Sequence, residues 1–136
     1  MIYPTKTALI LLSDLEPWQK ANVAAFLTGG LVHAHPEMAG EPYQDADGGT
    51  YLPLVREPVF VYAADSETMR RTFERARSRD VKVAIYTRPL FTTSNDVDNR
   101  ASVAACPTGE LDLVGLGVHA DRKIIDKIVN GLKFSA

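Results

Sequence analysis

Cysteine is nearly missing from this chain. Cys106 stands alone, so no internal disulfide can form, which fits a reducing compartment. Long hydrophobic runs are missing as well. The apolar run near the start, Ala8 to Leu12, falls far short of the ~18 residues of a membrane span. The N-terminus also lacks the charged start and small-residue cleavage site of a signal peptide. A cytoplasmic protein with no membrane partner is the expectation. An excess of one charge sign is absent too: 15 Lys and Arg against 17 Asp and Glu leave a net charge of −2. Proteins that grip phosphate backbones usually present a positive face, so strong nucleic-acid binding is not expected. There is no internal repeat and no low-complexity segment.

What is present describes a globule. With 136 residues, 46% hydrophobic and 24% charged, the chain has the size and composition of one ordinary domain, read here as spanning 1–136. A chain of this length buries roughly two-thirds of its unfolded surface and needs no staples. Thr7 to Leu12 is a short continuous apolar run, the pattern of a strand buried on both faces. Pro17 then opens a helix, at a position where its missing N–H is not needed. Val23, Phe26 and Leu27 join Trp18, Ala21 and Ala25 in its apolar stripe, and Gly29-Gly30 lies late in it. Residues 36–58 are turn-rich, and Asp47-Gly48 or Gly48-Gly49 suits a small hairpin onto Tyr51 to Val55.

Pro58 to Ala63 reads as a second strand. Asp65 or Ser66 caps a helix to about Ser78, with Met69, Phe73 and Ala76 at core spacing. Val81 to Tyr86 is expected as a third strand, 87–110 as a long polar loop in which Asp98 to Ala105 could turn helical, and Leu111 to Leu116 as a fourth strand. A last helix is expected over Ala120 to Asn130, stopped by Gly131. Leu132-Lys133-Phe134 adds a terminal strand or simply docks. Alternating strands and crossover helices imply parallel pairing. The expected fold is one α/β domain, a mixed and mostly parallel sheet of about four strands covered by helices.

Several segments resemble a known scaffold. Pro58-Val59-Phe60-Val61 and Ala64-Asp65-Ser66-Glu67-Thr68-Met69 resemble the second strand and second helix of type II peptidyl-tRNA hydrolases. Leu113-Val114-Gly115-Leu116-Gly117 and the stretch Ile125 to Lys133 resemble their closing strand and helix. Val23-Ala24-Ala25 sits where their first helix carries a similar triplet. The resemblance leaves out 33–57 and 87–110. An uncharacterised bacterial family with the same framework is closer still, through Asn22 to Leu27 and Asp121-Arg122-Lys123. Carried over position by position, Lys20 matches the hydrolases' first helix lysine and Thr92 their threonine. The second lysine is Asn22, the glutamine is Phe26, the histidine is Gly29, the aspartate is Arg88 and the arginine is Phe91. The resemblance therefore implies a shared fold from which the evident acid–base groups are gone.

The leading expectation is a surface where the first helix meets the 87–110 loop, gathering Lys20, Asn22, Arg88, Thr92, Thr93, Asn95 and Asp96 around a small, anionic or peptide-like ligand. Two alternatives stand beside it: a residual or altered hydrolase using Lys20 with Thr92 or Asp96, and a homodimeric interaction module. Gly115 to Ala120 imitates a dinucleotide fingerprint, but the chain ends before the required strand and acidic residue, so close packing of Gly117 is preferred and no cofactor is expected. Arg122 and Lys123 at the start of the last helix suit an anion. His33, His35 and Glu37 read as helix-end surface groups rather than metal ligands, because two histidines two apart do not share a helix face and no Cys or third His lies at a recognisable ligand spacing. Asp45-Ala46-Asp47-Gly48 lacks the later calcium ligands and reads as a turn. Cys106 reads as buried and inert. The arginine-rich helix 66–80 also carries Glu67, Glu74 and Asp80, a mixed, solvated face or a dimer surface.

Overall fold

Eight residues at the start of the chain, Thr5–Leu12 (β1), form its central strand, and all but Thr5 are buried. The structure is a computed structural model that describes residues 2–136. Pro17–Ala34 forms helix α1. Glu16 and Gln19 complete its reciprocal capping box, in which each side chain serves the other's backbone N–H. A small hairpin follows, Tyr43–Gln44 (β2) against Thr50–Tyr51 (β3). Its turn holds Gly48 at φ +86, a backbone conformation that favours glycine. Val59–Ala64 (β4) and Ser66–Ser78 (α2) come next. Asp65 caps α2 by accepting from the Thr68 N–H at 2.8 Å. The chain continues through Ala84–Thr87 (β5), Asp96–Ala104 (α3), Leu113–Asp121 (β6), Arg122–Ile128 (α4) and Lys133–Phe134 (β7).

The main sheet has five strands in the order β5-β6-β1-β4-β7. It is mixed, but the expectation of a mostly parallel sheet of about four strands is corrected. Among the described residues only β1 and β4 run parallel, joined through the α1 crossover. β6 is antiparallel to both β1 and β5, and β7 is antiparallel to β4. The long 88–112 connection turns the chain around, so β6 comes back against both neighbours.

Three boundaries also differ. Val81 and Val83 lie outside the ladder, and β5 begins at Ala84. β6 extends to Asp121 because it pairs with β1 as far as Thr5. The last helix accordingly starts at Arg122 and ends at Ile128. The 87–110 segment is mostly ordered, with α3 between 3-10 turns at Arg88–Thr92 and Thr108–Glu110.

Strand alternation divides β6 between two layers. Gly115 and Gly117 lie under α1, where an added Cβ would meet Val23, Leu27 and Leu31. Val114, Leu116 and Val118 fill the opposite side, over which α2 and α4 pack together. Ile125, Ile128, Met69 and Phe73 belong to the one buried apolar cluster that runs through both layers. Among the described residues no helix is long and apolar enough to cross a membrane.

Candidate functional site

A concavity with two lobes lies between α1, β5 and α3. One, about 590 Å³, is bounded by Phe26, Leu27, Ala84, Leu90, Val103 and Ala104 among others. The other, about 410 Å³, adds Trp18, Asn22, Phe91, Thr93 and Asn95. Phe26, Tyr86, Leu90, Asp96 and Asn99 border both. Each volume falls in the range of small-molecule sites.

A row of aromatic rings runs from the floor to the rim. Tyr86, near the end of β5, is buried, with Phe26 edge-on at 5.8 Å and Phe91 tilted at 5.0 Å. Trp18 meets Phe91 edge-on at 6.0 Å. Trp18 and Phe26 remain 63% and 57% exposed, so large apolar faces stand open on the rim of the cleft. Burial raises the Tyr86 hydroxyl pKa above its ordinary value, partly offset by Asn22, whose Nδ2 lies 3.5 Å away.

The polar end is built by the start of α3. Asn95 caps this helix, accepting from the Asp98 N–H at 2.8 Å. Asp96 pairs with Arg100 one turn later. The Thr93 hydroxyl contacts the Leu90 carbonyl and the Asn99 side chain. Amides and a hydroxyl thus converge beside an acid already matched by a base. This chemistry suits a head group that is neutral overall and both donates and accepts hydrogen bonds.

A second polar cluster lies below the far end of α1. Glu57, Thr7 and His119 are all buried, at 4%, 0% and 5% exposure. The Thr5 hydroxyl donates to Glu57 Oε2 at 2.9 Å and the Thr7 hydroxyl to Oε1 at 3.3 Å. Thr7 Oγ1 also lies in hydrogen-bond contact with His119 Nδ1, 2.7 Å away. His35 lies above, its ring centroid 4.8 Å from that of His119, and its Nδ1 is 3.6 Å from Glu37 Oε1. Burial lowers the His119 pKa; Glu57 opposes that shift and His35 adds to it.

A family model for a protein of unknown function (DUF2000) matches residues 5–135. The chain belongs to the DUF2000 family. A solved structure of a protein of unknown function from Agrobacterium tumefaciens strain C58 is 41% identical to it. That likeness has a TM-score of 0.95 and covers 99% of this chain and 100% of the other. None of the curated proteins matches the chain.

In this DUF2000 chain, the concavity lies between the first helix and residues 84–104. Asn22, Thr93, Asn95 and Asp96 border it. Lys20, Arg88 and Thr92 do not line either lobe. Residues two apart on a helix point to different faces, so Lys20 is turned away from Asn22. Arg88 instead pairs with Asp112 at 3.0 Å. The Thr92 hydroxyl is used on the Pro89 carbonyl.

Arg122 holds the start of the chain, its Nε donating to the Tyr3 carbonyl and its N–H to Pro4. Lys123 is exposed beside it. Asp45 closes its turn, accepting from the backbone of Asp47 and Gly49 and from the Tyr51 hydroxyl. Cys106 is half-buried.

Two groups of residues escaped the sequence reading. One is the apolar half of the cleft, whose members look like ordinary core side chains. The other is the Thr7–Glu57–His119 cluster, whose members are scattered along the chain and share no spacing motif. His33 is exposed, as expected, but His35 is half-buried against His119.

Proposed function

We propose that this chain is a small-molecule-binding protein whose site is the α1/β5/α3 cleft, and that its ligand has an apolar or aromatic body and an amide- or hydroxyl-bearing head. One observation carries the reading. A two-lobed concavity of about 590 and 410 Å³ has aromatic rings on its floor and side-chain amides gathered at one end. Apolar walls with a few convergent polar groups are the usual make-up of a ligand site. The pairing of Asp96 with Arg100 disfavours a strongly charged ligand. The similarity to type II peptidyl-tRNA hydrolases enters this proposal as a shared scaffold. Asn22, Gly29 and Arg88 stand where the hydrolase pattern has lysine, histidine and aspartate. Those replacements favour binding over ester hydrolysis, since neither an amide nor a glycine can move a proton as an acid–base group must.

A thermal-shift screen of small amphipathic compounds tests the proposal. A compound present at 100 times its Kd stabilises the protein by about 2.7 kcal/mol. Ala104→Trp, at an exposed wall position, fills the larger lobe and should abolish the shift. Finding no stabilising compound, or finding a shift that Ala104→Trp leaves intact, would overturn the assignment.

A further inference from the structure

We propose that His35, Glu37 and His119 bind one divalent transition-metal ion, with Thr7 and Glu57 orienting His119 for it. The three residues each present a ligand atom, and these atoms all lie within 4.8 Å of one another. They come from three places: the C-terminal cap of α1, the 3-10 turn Pro36–Met38, and β6. Two imidazoles and a carboxylate form a donor set that suits zinc and its first-row neighbours. Donors that each bond one ion at about 2.1 Å can be no more than about 4.2 Å apart, so the widest separation must shorten by about 0.6 Å. The Glu37 side chain, 59% exposed, is free to make that movement, and the His35 side chain is 33% exposed.

The arrangement behind His119 separates this cluster from a chance meeting of surface groups. A metal-bound histidine typically passes its other ring N–H to a carboxylate or another acceptor, which fixes tautomer and ring orientation. Here the buried Glu57 carboxylate accepts from the Thr5 and Thr7 hydroxyls, and Thr7 Oγ1, its own proton turned to Glu57, offers Nδ1 an acceptor 2.7 Å away. This arrangement favours the tautomer with the proton on Nδ1, whose Nε2 lone pair is the one available to an ion. Every buried side-chain nitrogen and oxygen among the described residues has a partner, so the network is complete without disturbing Nε2. Arg56 is the nearby opposing cation, and its Nε is spent on the Glu37 carbonyl at 2.6 Å. The Glu37 and Glu57 carboxylates together outweigh its charge. Three protein ligands at a partly open rim leave a coordination position for water or another small ligand.

Titrating chelator-treated full-length protein with Zn²⁺, followed by calorimetry, and with Co²⁺, followed by its visible absorption, tests the site. One equivalent of each ion should bind, and Co²⁺ should show the intense bands of a low-coordinate site. His35→Ala and Glu37→Gln alter exposed or half-exposed side chains and should each weaken binding strongly. Glu57→Gln should weaken it by about 10–100-fold, the usual effect of losing a group behind a metal ligand, measured where circular dichroism shows the variant folded. His33→Ala should change nothing. Absence of stoichiometric binding would overturn the proposal, as would binding unchanged in His35→Ala and Glu37→Gln, or binding lost in His33→Ala.

Discussion

Gly115→Ala tests how closely α1 is pressed onto the sheet. A Cβ at this position would lie 2.4 Å from Val23 Cγ1 and 3.2 Å from Leu27 Cδ1. Carbon atoms in contact prefer about 3.5–4.0 Å, so Val23 or the helix must move by more than about 1 Å. Val23 is fully buried, and a β-branched side chain in a helix has one strongly preferred rotamer. Relief must therefore come from a shift of α1. Overpacking of this kind costs about 1–3 kcal/mol, and the short contact points to the upper half of that range. For a chain of this size the loss corresponds to a fall in Tm of roughly 6–10 °C. Urea or thermal unfolding of Gly115→Ala, Val23→Ala and the double variant measures it. Val23→Ala alone should be destabilising through its cavity. The double variant should be more stable than the sum of the singles, by about 1 kcal/mol or more, because each change removes the other's defect. A Gly115→Ala protein as stable as the parent, or strictly additive effects, would refute the close-packing argument.

Gly29→Ala should act in the opposite direction. Nothing lies within 4 Å of the added Cβ inside α1, so it should stabilise by up to about 1 kcal/mol in the same unfolding assay. The Tyr86 pKa is raised by burial, so the folded state holds this proton more tightly than the unfolded chain. That contribution is complete below the unfolded tyrosine pKa near 10 and disappears as pH rises through the folded value. Tyr86→Phe should therefore lose less stability than the parent between about pH 9 and 11 in urea titrations; equal losses would count against a raised pKa. Lys6 is mostly buried, 2.8 Å from Asp126 and 4.6 Å from the Phe60 ring centroid. Removing its anion with Asp126→Ala should destabilise by about 1–2 kcal/mol, given that Asp126 is half exposed, and chemical denaturation will show whether it does.

Local chemistry made much of the fold legible. The Asp65 cap and the Met69, Phe73 and Ala76 stripe define α2 from sequence, and both appear as expected. The run up to Leu12 is a strand for the same reason: an unbroken apolar stretch needs cover on both faces. Strand direction was not legible, because it depends on where a long connection returns the chain. The 87–110 segment looks like a loop, yet Asn95 caps a helix within it. Ala120 and Asp121 read as helical from the pattern that follows them, but their pairing with Lys6 and Thr5 draws them into β6. The candidate site divides in the same way. Asn22, Thr93, Asn95 and Asp96 were readable as polar residues near one helix end. The misplacement of Lys20 is a matter of helical angle, which pattern matching along the chain ignores. The His119 neighbourhood was hidden because Thr7, Glu57 and His119 meet only through strand register, with Thr7 opposite both Val59 and His119.

Fragment mapping by two-dimensional NMR on isotope-labelled protein tests the binding assignment most directly. Small amphipathic fragments should perturb amides of residues 18–30, 84–91 and 93–104 together, with saturable shifts that Ala104→Trp removes. Fragments that gather on another face, or none that saturate at the cleft, would contradict the account.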